Sequence, residues 1–322
     1  MNEKIKKIAV FVPNKPFFGA VLVQFPFFQH LRQDYPQAQI KLWSPIDTVK
    51  LLVKYQLADE YEVYDKKTSK WHILKSLNRY KADIAINFRD KSEIIALIFG
   101  LSNARLKVGI RSSYLPKLCF HKTYLNNLQI YRGLNYLQFL DILNQENRFG
   151  FEKLKALRHQ SHLQLSEDRP HICLMPGGGE GEHKRWGIEN FIHLCKLLQE
   201  TQKNVHFIFV TGREEEPYLP IIQKELKSDD YTLVHNAPIE DIVKTVFNSQ
   251  VTIANDCGPS HIAQMCEVNY VSLWGWENQQ PYLRIMEWFL PRENSASVVA
   301  HLHKGIKTIA PKRVLGYVLP YL

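Results

Sequence analysis

The sequence predicts an α/β protein built from two domains, each with a parallel sheet covered by helices. At 322 residues the chain exceeds the usual size of a single hydrophobic core. Short β-rich runs alternate with helical patterns along nearly the whole chain, which is the sequence form of consecutive strand–helix–strand units. Hydrophobic residues make up 45% and charged residues 23%, a composition typical of a globular protein rather than a disordered one.

The strand candidates fall into two similar series. In the first half they are residues 5–12, 39–43, 61–64, 83–88 and 106–110, and in the second half 171–175, 205–210, 232–234, 251–254 and 270–273. A helical pattern at 133–147 and a polar stretch at 152–169 separate the two series. We therefore expect a first domain at 1–160, a second at 161–306, and an amphipathic segment at 307–322 that packs back on the first domain.

Charge and cysteine usage exclude several classes of protein. The net charge of +9 favours polyanionic partners, but the sequence has no RNA-binding signature or Cys/His finger, so nucleic acid is not the expected partner. The five cysteines are scattered and form no C-x-x-C pair, which argues against disulfides and zinc sites. No run is long and apolar enough to cross a bilayer and the start lacks a signal-peptide pattern, so we expect a cytoplasmic protein. We also expect a monomer.

A glycine-rich turn follows the strand at 171–175. Gly177, Gly178 and Gly179 allow a ligand to approach the backbone closely, and Lys184 adds positive charge before the helix that begins near Ile188. The pattern is neither a Walker loop nor a G-x-G-x-x-G fingerprint. It predicts a phosphate site, with a simple tight turn as the alternative.

Two further strand ends in the second half carry polar residues. Asp256, Cys257, Gly258 and His261 follow the strand at 251–254, where the amides that open a helix could hold a second phosphate or a ribose. Glu216 follows the strand at 205–210, where a carboxylate could accept bonds from ribose hydroxyls. The alternatives are an N-cap for Asp256, a packed histidine for His261 and an acidic helix start for Glu216.

These stretches resemble the lipopolysaccharide heptosyltransferases of the ADP-heptose type, which have the GT-B fold. That family carries K-x-W-P, a strand ending in G-x-x-x-E, and D-T-G-x-x-H-x-A-A. The matching stretches, in the same order and with agreeing spacing, are residues 184–186, 212–216 and 256–263. Cys257 stands where the family usually has threonine, and Gly187 where it usually has proline. The resemblance implies two Rossmann-like domains whose parallel sheets face a central cleft.

The resemblance also implies roles for the residues of the second half. Lys184 would contact the diphosphate of a sugar nucleotide, Glu216 its ribose, and Asp256 to Gly258 with His261 the nucleotide pocket. The implied reaction transfers a heptose-like sugar from an ADP-linked donor to a lipopolysaccharide or lipooligosaccharide core, with inversion. Helix amides and Lys184 would neutralise the leaving group without a metal or other cofactor.

The first half matches the family in residues 18–26 and at Lys91-Ser92, but Ala20 occupies the position of the family's catalytic aspartate. Alanine cannot take a proton, so another carboxylate must act as the base. Asp90, which follows the strand at 83–88, is our candidate, with a helix cap or an ion pair as its alternative; Glu93 and His30 are the next candidates for the base. Arg89, Lys91 and Arg111 are candidates for binding an anionic acceptor.

Two other functions stay open at this point. A protein that lost its base could bind a sugar nucleotide or glycan without catalysis, and alanine at position 20 favours that function. A GT-B-like sugar-nucleotide epimerase would need no acceptor, but the donor motifs disfavour it. In either transferase or binding protein, the basic, aromatic segment at 114–124 suits peripheral contact with the inner membrane.

Overall fold

The computed structural model describes residues 5–13, 15, 17–65, 67–89, 92–111, 113–143, 150–165, 168–179, 181–202, 204–276 and 280–322. Contacts divide the chain into two units, one ending at Gly150 and the other running from Phe151 to Leu322. Among the helices of the described ranges, none is both long enough and apolar enough to cross a membrane. All five cysteines are buried and none forms a disulfide.

The first unit is a six-stranded parallel sheet with helices on its crossovers. Its strands are β1 (Lys7–Phe11), β2 (Gln39–Ser44), β3 (Glu60–Val63), β4 (Ile84–Asn87), β5 (Leu106–Ile110) and β6 (Lys122–Tyr124). Its helices are α1 (Phe18–Leu22), α2 (Phe25–Asp34), α3 (Lys50–Lys54), α4 (Lys70–Tyr80), α5 (Glu93–Leu101), α6 (Tyr114–Cys119) and α7 (Arg132–Ile142). The strand order is β3-β2-β1-β4-β5-β6, and every neighbouring pair is parallel.

The second unit repeats this architecture. Its strands are β7 (His171–Met175), β8 (His206–Thr211), β9 (Tyr231–His235), β10 (Ser249–Asn255), β11 (Tyr270–Trp274) and β12 (Ser295–Val299). Its helices are α8 (Glu152–Ala156), α9 (Ile188–Thr201), α10 (Leu219–Glu225), α11 (Ile239–Phe247), α12 (Ser260–Cys266), α13 (Pro281–Trp288) and α14 (Pro311–Val318). The order β12-β11-β10-β7-β8-β9 is again wholly parallel.

Both sheets therefore have the doubly wound order in which the chain reverses direction across the sheet after its third strand. The predicted fold class, α/β with two Rossmann-like domains, is confirmed. The sequence did not reveal the last strand of either unit. Both lie at a sheet edge, β6 being three half-buried residues and β12 a run of small residues with one buried valine, so neither produces a strong hydrophobic period.

The boundary between the units differs from the expected residue 160. Helix α8 packs against α12 of the second unit, and Lys155 forms an ion pair with Glu267. Phe151 and Leu154 are almost completely buried. Residues 151–160 therefore belong to the second unit, because their apolar side chains join its core.

The segment at 307–322 also belongs to the second unit, whereas the sequence suggested that it packs on the first. Helix α14 lies against α9, and its Val314 and Val318 are fully buried in the core that α9 covers. Just before this helix, the Ile309 carbonyl accepts a 2.7 Å hydrogen bond from Nε1 of the buried Trp186. The apolar stripe of α14 was read correctly as amphipathic, but pattern alone does not say which core it completes.

We predict that Gly275→Ala destabilises the second unit. A Cβ at Gly275, in the loop after β11, would lie 2.5 Å from the backbone nitrogen of Ile306, so the backbone itself would have to move. Overpacking of this kind costs about 1–3 kcal/mol, which urea denaturation would measure. Gly316→Ala is the control: its Cβ would meet nothing within 4 Å, and alanine in a helix stabilises by about 0.5–1 kcal/mol. An unchanged midpoint for Gly275→Ala would contradict the close contact.

Candidate functional site

The strand order of the second unit reverses between β7 and β10, which pair in register from Ile172 and Val251 to Met175 and Ala254. The loops that leave these two strands diverge toward α9 and α12. In open α/β sheets this is the crevice where ligands bind. The glycine-rich turn and the 256–261 stretch, which the sequence singled out separately, therefore start side by side.

The glycine-rich turn adopts a backbone that side chains disfavour. Gly179 has φ +46° and Gly181 has φ +132°, both in the left-handed half of the backbone map. The chain then makes a single 3-10 turn at Glu182–Lys184 before α9 begins. Glycine is needed here for the path of the loop, and that path brings Lys184 back to the end of β10.

Asn255, the last residue of β10, fixes this loop in place. Its side chain is fully buried, and its amide nitrogen donates to the carbonyls of Pro176 (2.8 Å) and Gly177 (3.1 Å). Its amide oxygen accepts a bond from the Trp186 backbone nitrogen at 3.3 Å. The sequence analysis assigned Asn255 no role, although a polar residue at the buried end of a central strand was a signal that it has one.

Asp256 lies at the centre of a charge cluster. Its side chain is 8% exposed, and its Oδ2 is 2.9 Å from Nζ of Lys184 and 2.5 Å from a guanidinium nitrogen of Arg284 in α13. Burial alone would raise the pKa of Asp256, but the two cations outweigh that effect and lower it to about 2. We call these three residues the Asp256 cluster; with two positive groups and one negative, it favours a further anion.

Arg284 was missed by the sequence reading. It lies in an amphipathic helix that carries no recognisable motif, and nothing local indicates that it faces Asp256, 28 positions earlier. Arg185 follows Lys184 in the sequence and also carries positive charge at the loop. The structure pairs it with acidic groups, at 2.8 Å from Glu182 and 2.9 Å from Glu214, so much of its charge is compensated.

His261 is 3% exposed in the first turn of α12, with its ring centroid 5.6 Å from that of Trp288. Burial lowers its pKa to about 4, against the opposing effect of Asp256 and with help from Lys184 and Arg284. The imidazole is therefore neutral at pH 7. It can accept or donate a hydrogen bond but adds no charge to the Asp256 cluster.

The turn that contains Cys257 and Gly258 is largely satisfied by its own bonds. The Cys257 carbonyl accepts from Oγ of Ser260 at 2.7 Å, and the Gly258 carbonyl accepts from the His261 amide at 3.2 Å. The amide of Ile262 likewise donates to Pro259. Burial raises the pKa of the Cys257 thiol to about 12, so it is protonated at pH 7. The first-turn amides of His261 and Ile262, which the sequence offered to a ligand, are thus already engaged.

The acidic turn after β8 lies beside the glycine loop. Glu215 is buried and accepts a 2.9 Å bond from the Gly212 amide, and a Cβ on Gly177 would lie 3.2 Å from its carboxylate. Glu216, the residue named from the sequence, has a side chain that is 60% exposed, 3.9 Å from Nε2 of His235. Glu215 is therefore structural, while Glu216 keeps a carboxylate accessible to a ligand.

The candidates of the first unit follow its own strand ends. Asp90 and Lys91 lie outside the described residues. Arg89 donates a 2.7 Å bond to the Tyr64 hydroxyl, and Arg111 is exposed immediately after β5. Ala20 lies in α1 and is 8% exposed. Across the described ranges of the chain, no group of three or more potential metal ligands occurs.

Two Rossmann-like units, the second with a glycine loop and the Asp256 cluster at its switch point, are the architecture of the GT-B class. The chain belongs to glycosyltransferase family 9 (heptosyltransferase), whose family model matches residues 70–304. The resemblance noted from the sequence is thereby confirmed.

Individual relatives agree with this assignment over nearly the full chain. The lipooligosaccharide heptosyltransferase 2 of Campylobacter jejuni is 22% identical over 330 residues, covering 95% of this chain and 96% of that protein. The Escherichia coli ADP-heptose lipopolysaccharide heptosyltransferase II superposes with a TM-score of 0.67 at 18% identity, covering 98% of each chain. An E. coli heptosyltransferase solved with ADP-2-deoxy-2-fluoro heptose gives 0.73 at 11% identity, covering 98% of this chain and 100% of that one. At these identities the structural likeness establishes the fold.

We predict that His261 makes stability depend on pH. The unfolded chain protonates this imidazole near pH 6.5, whereas the folded protein does so only near 4. Between these pH values the unfolded state binds a proton that the folded state does not. The free energy of unfolding therefore falls as the pH drops from 6.5 to 4, by up to about 3 kcal/mol, and falls no further from this cause below pH 4. Urea unfolding at several pH values would show a flatter profile for His261→Gln. The exposed His301→Gln is the control, and identical profiles for His261→Gln and wild type would refute the assignment.

Proposed function

We propose that the protein transfers a heptose-like sugar from an ADP-linked donor to a lipopolysaccharide or lipooligosaccharide core acceptor. The observation that carries this proposal is the Asp256 cluster beside the glycine loop at the switch point of the second unit, in a chain of family 9. The solved E. coli relatives are described with ADP-heptose, ADP or an ADP-heptose analogue, which supports adenine as the base.

The donor binds through its diphosphate. Lys184 and Arg284 share one buried carboxylate, and phosphate oxygens would give them charge-assisted bonds of the same kind. Gly177, Gly178 and Gly179 let the diphosphate approach the backbone, and Glu216 accepts bonds from the ribose hydroxyls. Cys257, Gly258 and His261 form the adjoining wall of the nucleotide pocket.

Catalysis on this side is electrostatic. As the bond between the sugar and the diphosphate breaks, negative charge grows on the leaving oxygen, and the two cations of the cluster stabilise it. In this proposal they take the place of a metal ion. Asp256 holds both cations in position before the donor arrives, so that little reorganisation is needed when the charge develops.

The acceptor hydroxyl must lose a proton as it attacks the anomeric carbon. Attack from the face opposite the departing diphosphate inverts that centre, as the family resemblance implies. Because Ala20 cannot take the proton, we propose as the base Asp90, which follows β4 in the sequence. Arg89, Lys91 and Arg111 bind anionic groups of the core oligosaccharide. Ala20 also favours a second candidate, a protein that binds the donor without transferring its sugar.

We predict that Lys184→Ala weakens ADP binding by about 1–3 kcal/mol, the cost of losing a charge-assisted hydrogen bond. Titration calorimetry would measure this, with ADP and UDP compared on the wild type. Lys196→Ala is a matched control, because Lys196 is 49% exposed and pairs with Glu225 on the surface. ADP should bind equally well in magnesium and in EDTA. Unchanged affinity in a folded Lys184→Ala variant removes Lys184 from the site, and binding that requires magnesium contradicts the metal-free mechanism.

We predict that Asp90→Asn lowers the turnover of sugar transfer about 100- to 10,000-fold, the usual contribution of a general base, and leaves ADP affinity nearly unchanged. Glu93→Gln is the matched control, since Glu93 is the next carboxylate along and accepts a 2.9 Å bond from Ser113. A normal rate for Asp90→Asn would make Asp90 structural. Gain of activity in Ala20→Asp would identify the lost aspartate as the main divergence. ADP binding without transfer to any core acceptor would favour the binding protein.

A further inference from the structure

Helices α4, α5 and α6 form a layer on one face of the first sheet. Their buried residues, such as Leu74, Phe99 and Cys119, share one core with Ala9 and Phe11 of β1. Helix α5 packs beside both α4 and α6. The sides of the three helices that point away from this core make one continuous surface, which we call the α4–α6 face.

The centre of this face is apolar although it is exposed. Five side chains of α5 and α6 are between 44% and 74% accessible: Ile94, Leu97, Leu101, Tyr114 and Leu118. Ile94, Leu97 and Leu101 recur at the spacing that puts them on one side of a helix, and Tyr114 and Leu118 do the same in α6. Exposed apolar side chains that adjoin one another on two neighbouring helices indicate a binding surface.

The two helices run side by side in the same direction. Ser113, which precedes α6, donates a 2.9 Å bond to Glu93 at the start of α5. Near the other end, a Cβ on Gly100 would lie 3.0 Å from Sγ of Cys119. Because the first turns of α5 and α6 lie together and their last turns also lie together, the two apolar stripes are adjacent and form a single patch.

The border of the patch is basic and aromatic. Helix α4 exposes Lys70, Lys75 and Arg79, with Trp71 72% accessible beside them, and α6 exposes Lys117 within the patch itself. Within these three fully described helices, Glu93 is the one acidic residue, and it is bonded to Ser113. The combination of an apolar centre, basic residues and amphipathic rings matches the interface of an anionic bilayer.

We propose that the α4–α6 face docks the protein on an anionic lipid bilayer. The leucines and isoleucine enter the boundary between headgroups and acyl chains, Trp71 and Tyr114 lie at headgroup level, and the four basic residues contact anionic headgroups. Helices α5 and α6 are the elements that follow β4 and β5. The patch therefore lies near the carboxyl ends of these two strands, which Arg89 and Arg111 follow. The position of Arg89 and Arg111 near the patch would bring a lipid-linked acceptor close to them, and this part of the inference rests on the proposed function. Bilayer binding itself does not rest on it.

Co-sedimentation with vesicles tests the proposal without any donor or acceptor. The wild type should bind vesicles of phosphatidylcholine with 30% phosphatidylglycerol at least about tenfold better than pure phosphatidylcholine, and binding should weaken as salt is raised. Two variants probe the two components: Leu97→Asn/Leu101→Asn/Leu118→Asn for the apolar centre, and Lys75→Gln/Lys117→Gln for the charge. Each should lower the partition coefficient about tenfold or more.

The matched control is Leu302→Asn/Lys304→Gln, which changes an exposed leucine and an exposed lysine in the second unit. It should bind vesicles like the wild type. All altered side chains are exposed, and equal unfolding midpoints would show that the variants are folded. Wild-type binding by both face variants, or no preference for anionic vesicles, would overturn the proposal. A second outcome would also overturn it: the wild type does not bind vesicles, sedimentation velocity shows a dimer, and the leucine variant abolishes that dimer. The face would then be a protein interface.

Trp71 gives an independent readout of the same contact. Because this indole is exposed in the absence of lipid, its emission should shift to shorter wavelength when anionic vesicles are added. Trp71→Phe should abolish most of the shift while reducing sedimentation less than threefold. A full shift in Trp71→Phe would place the lipid contact elsewhere. Failure of sugar transfer alongside normal vesicle binding would count against the proposed function and leave the docking surface intact.

Discussion

A carboxylate with little access to water must find positive partners, and at Asp256 that requirement organises the second unit's switch point. Removing its charge from solvent would cost several kcal/mol without compensation. Lys184 and Arg284 supply the compensation from two different directions, one from the glycine loop and one from α13. Asn255, the residue before Asp256, holds the start of the loop that carries Lys184, because its amide donates to the carbonyls of Pro176 and Gly177. Two adjacent residues at the end of β10 therefore have complementary roles: Asn255 positions the backbone of the glycine loop, and Asp256 binds the two cations.

The two units share a topology, and they also share an asparagine at the corresponding strand end. Asn87 ends β4 as Asn255 ends β10, and both are buried. In the first unit the asparagine side chain bonds to the backbone of Arg89. The next residue, Phe88, packs against Phe27 and Phe139, with ring centroids 4.8 Å and 4.9 Å apart. In the second unit the next residue is the buried, ion-paired Asp256. One position on the same scaffold is therefore used for a hydrophobic anchor in one unit and for charge in the other.

Much of the fold was predictable because several central strands are largely apolar runs between turn residues, as in β1 and β7. The edge strands β6 and β12 were not, since their half-buried residues carry no clear period. At the site, Lys184, Asp256 and His261 were predicted because glycine turns and strand ends mark them locally, and the structure brings Lys184 and Asp256 into contact. Arg284 was not, because its role depends on a contact across 28 residues that no local pattern encodes. The same limit applies to residues 307–322, whose amphipathic stripe was evident while its destination was not.

The place of α14 has a consequence for how the protein is made. Once synthesis has passed Ile142, the chain contains every strand and helix that the structure describes in the first unit, so this unit can fold while the rest is still being translated. In the second unit α9 is synthesised early, but the residues that cover it in the native core, Val314 and Val318, come after the last strand. Until they emerge, α9 and the sheet beneath it expose apolar surface. The nascent second unit therefore exposes this surface to a chaperone until α14 is made. The first unit has the same arrangement, because α7, which packs against α2, also follows its last strand.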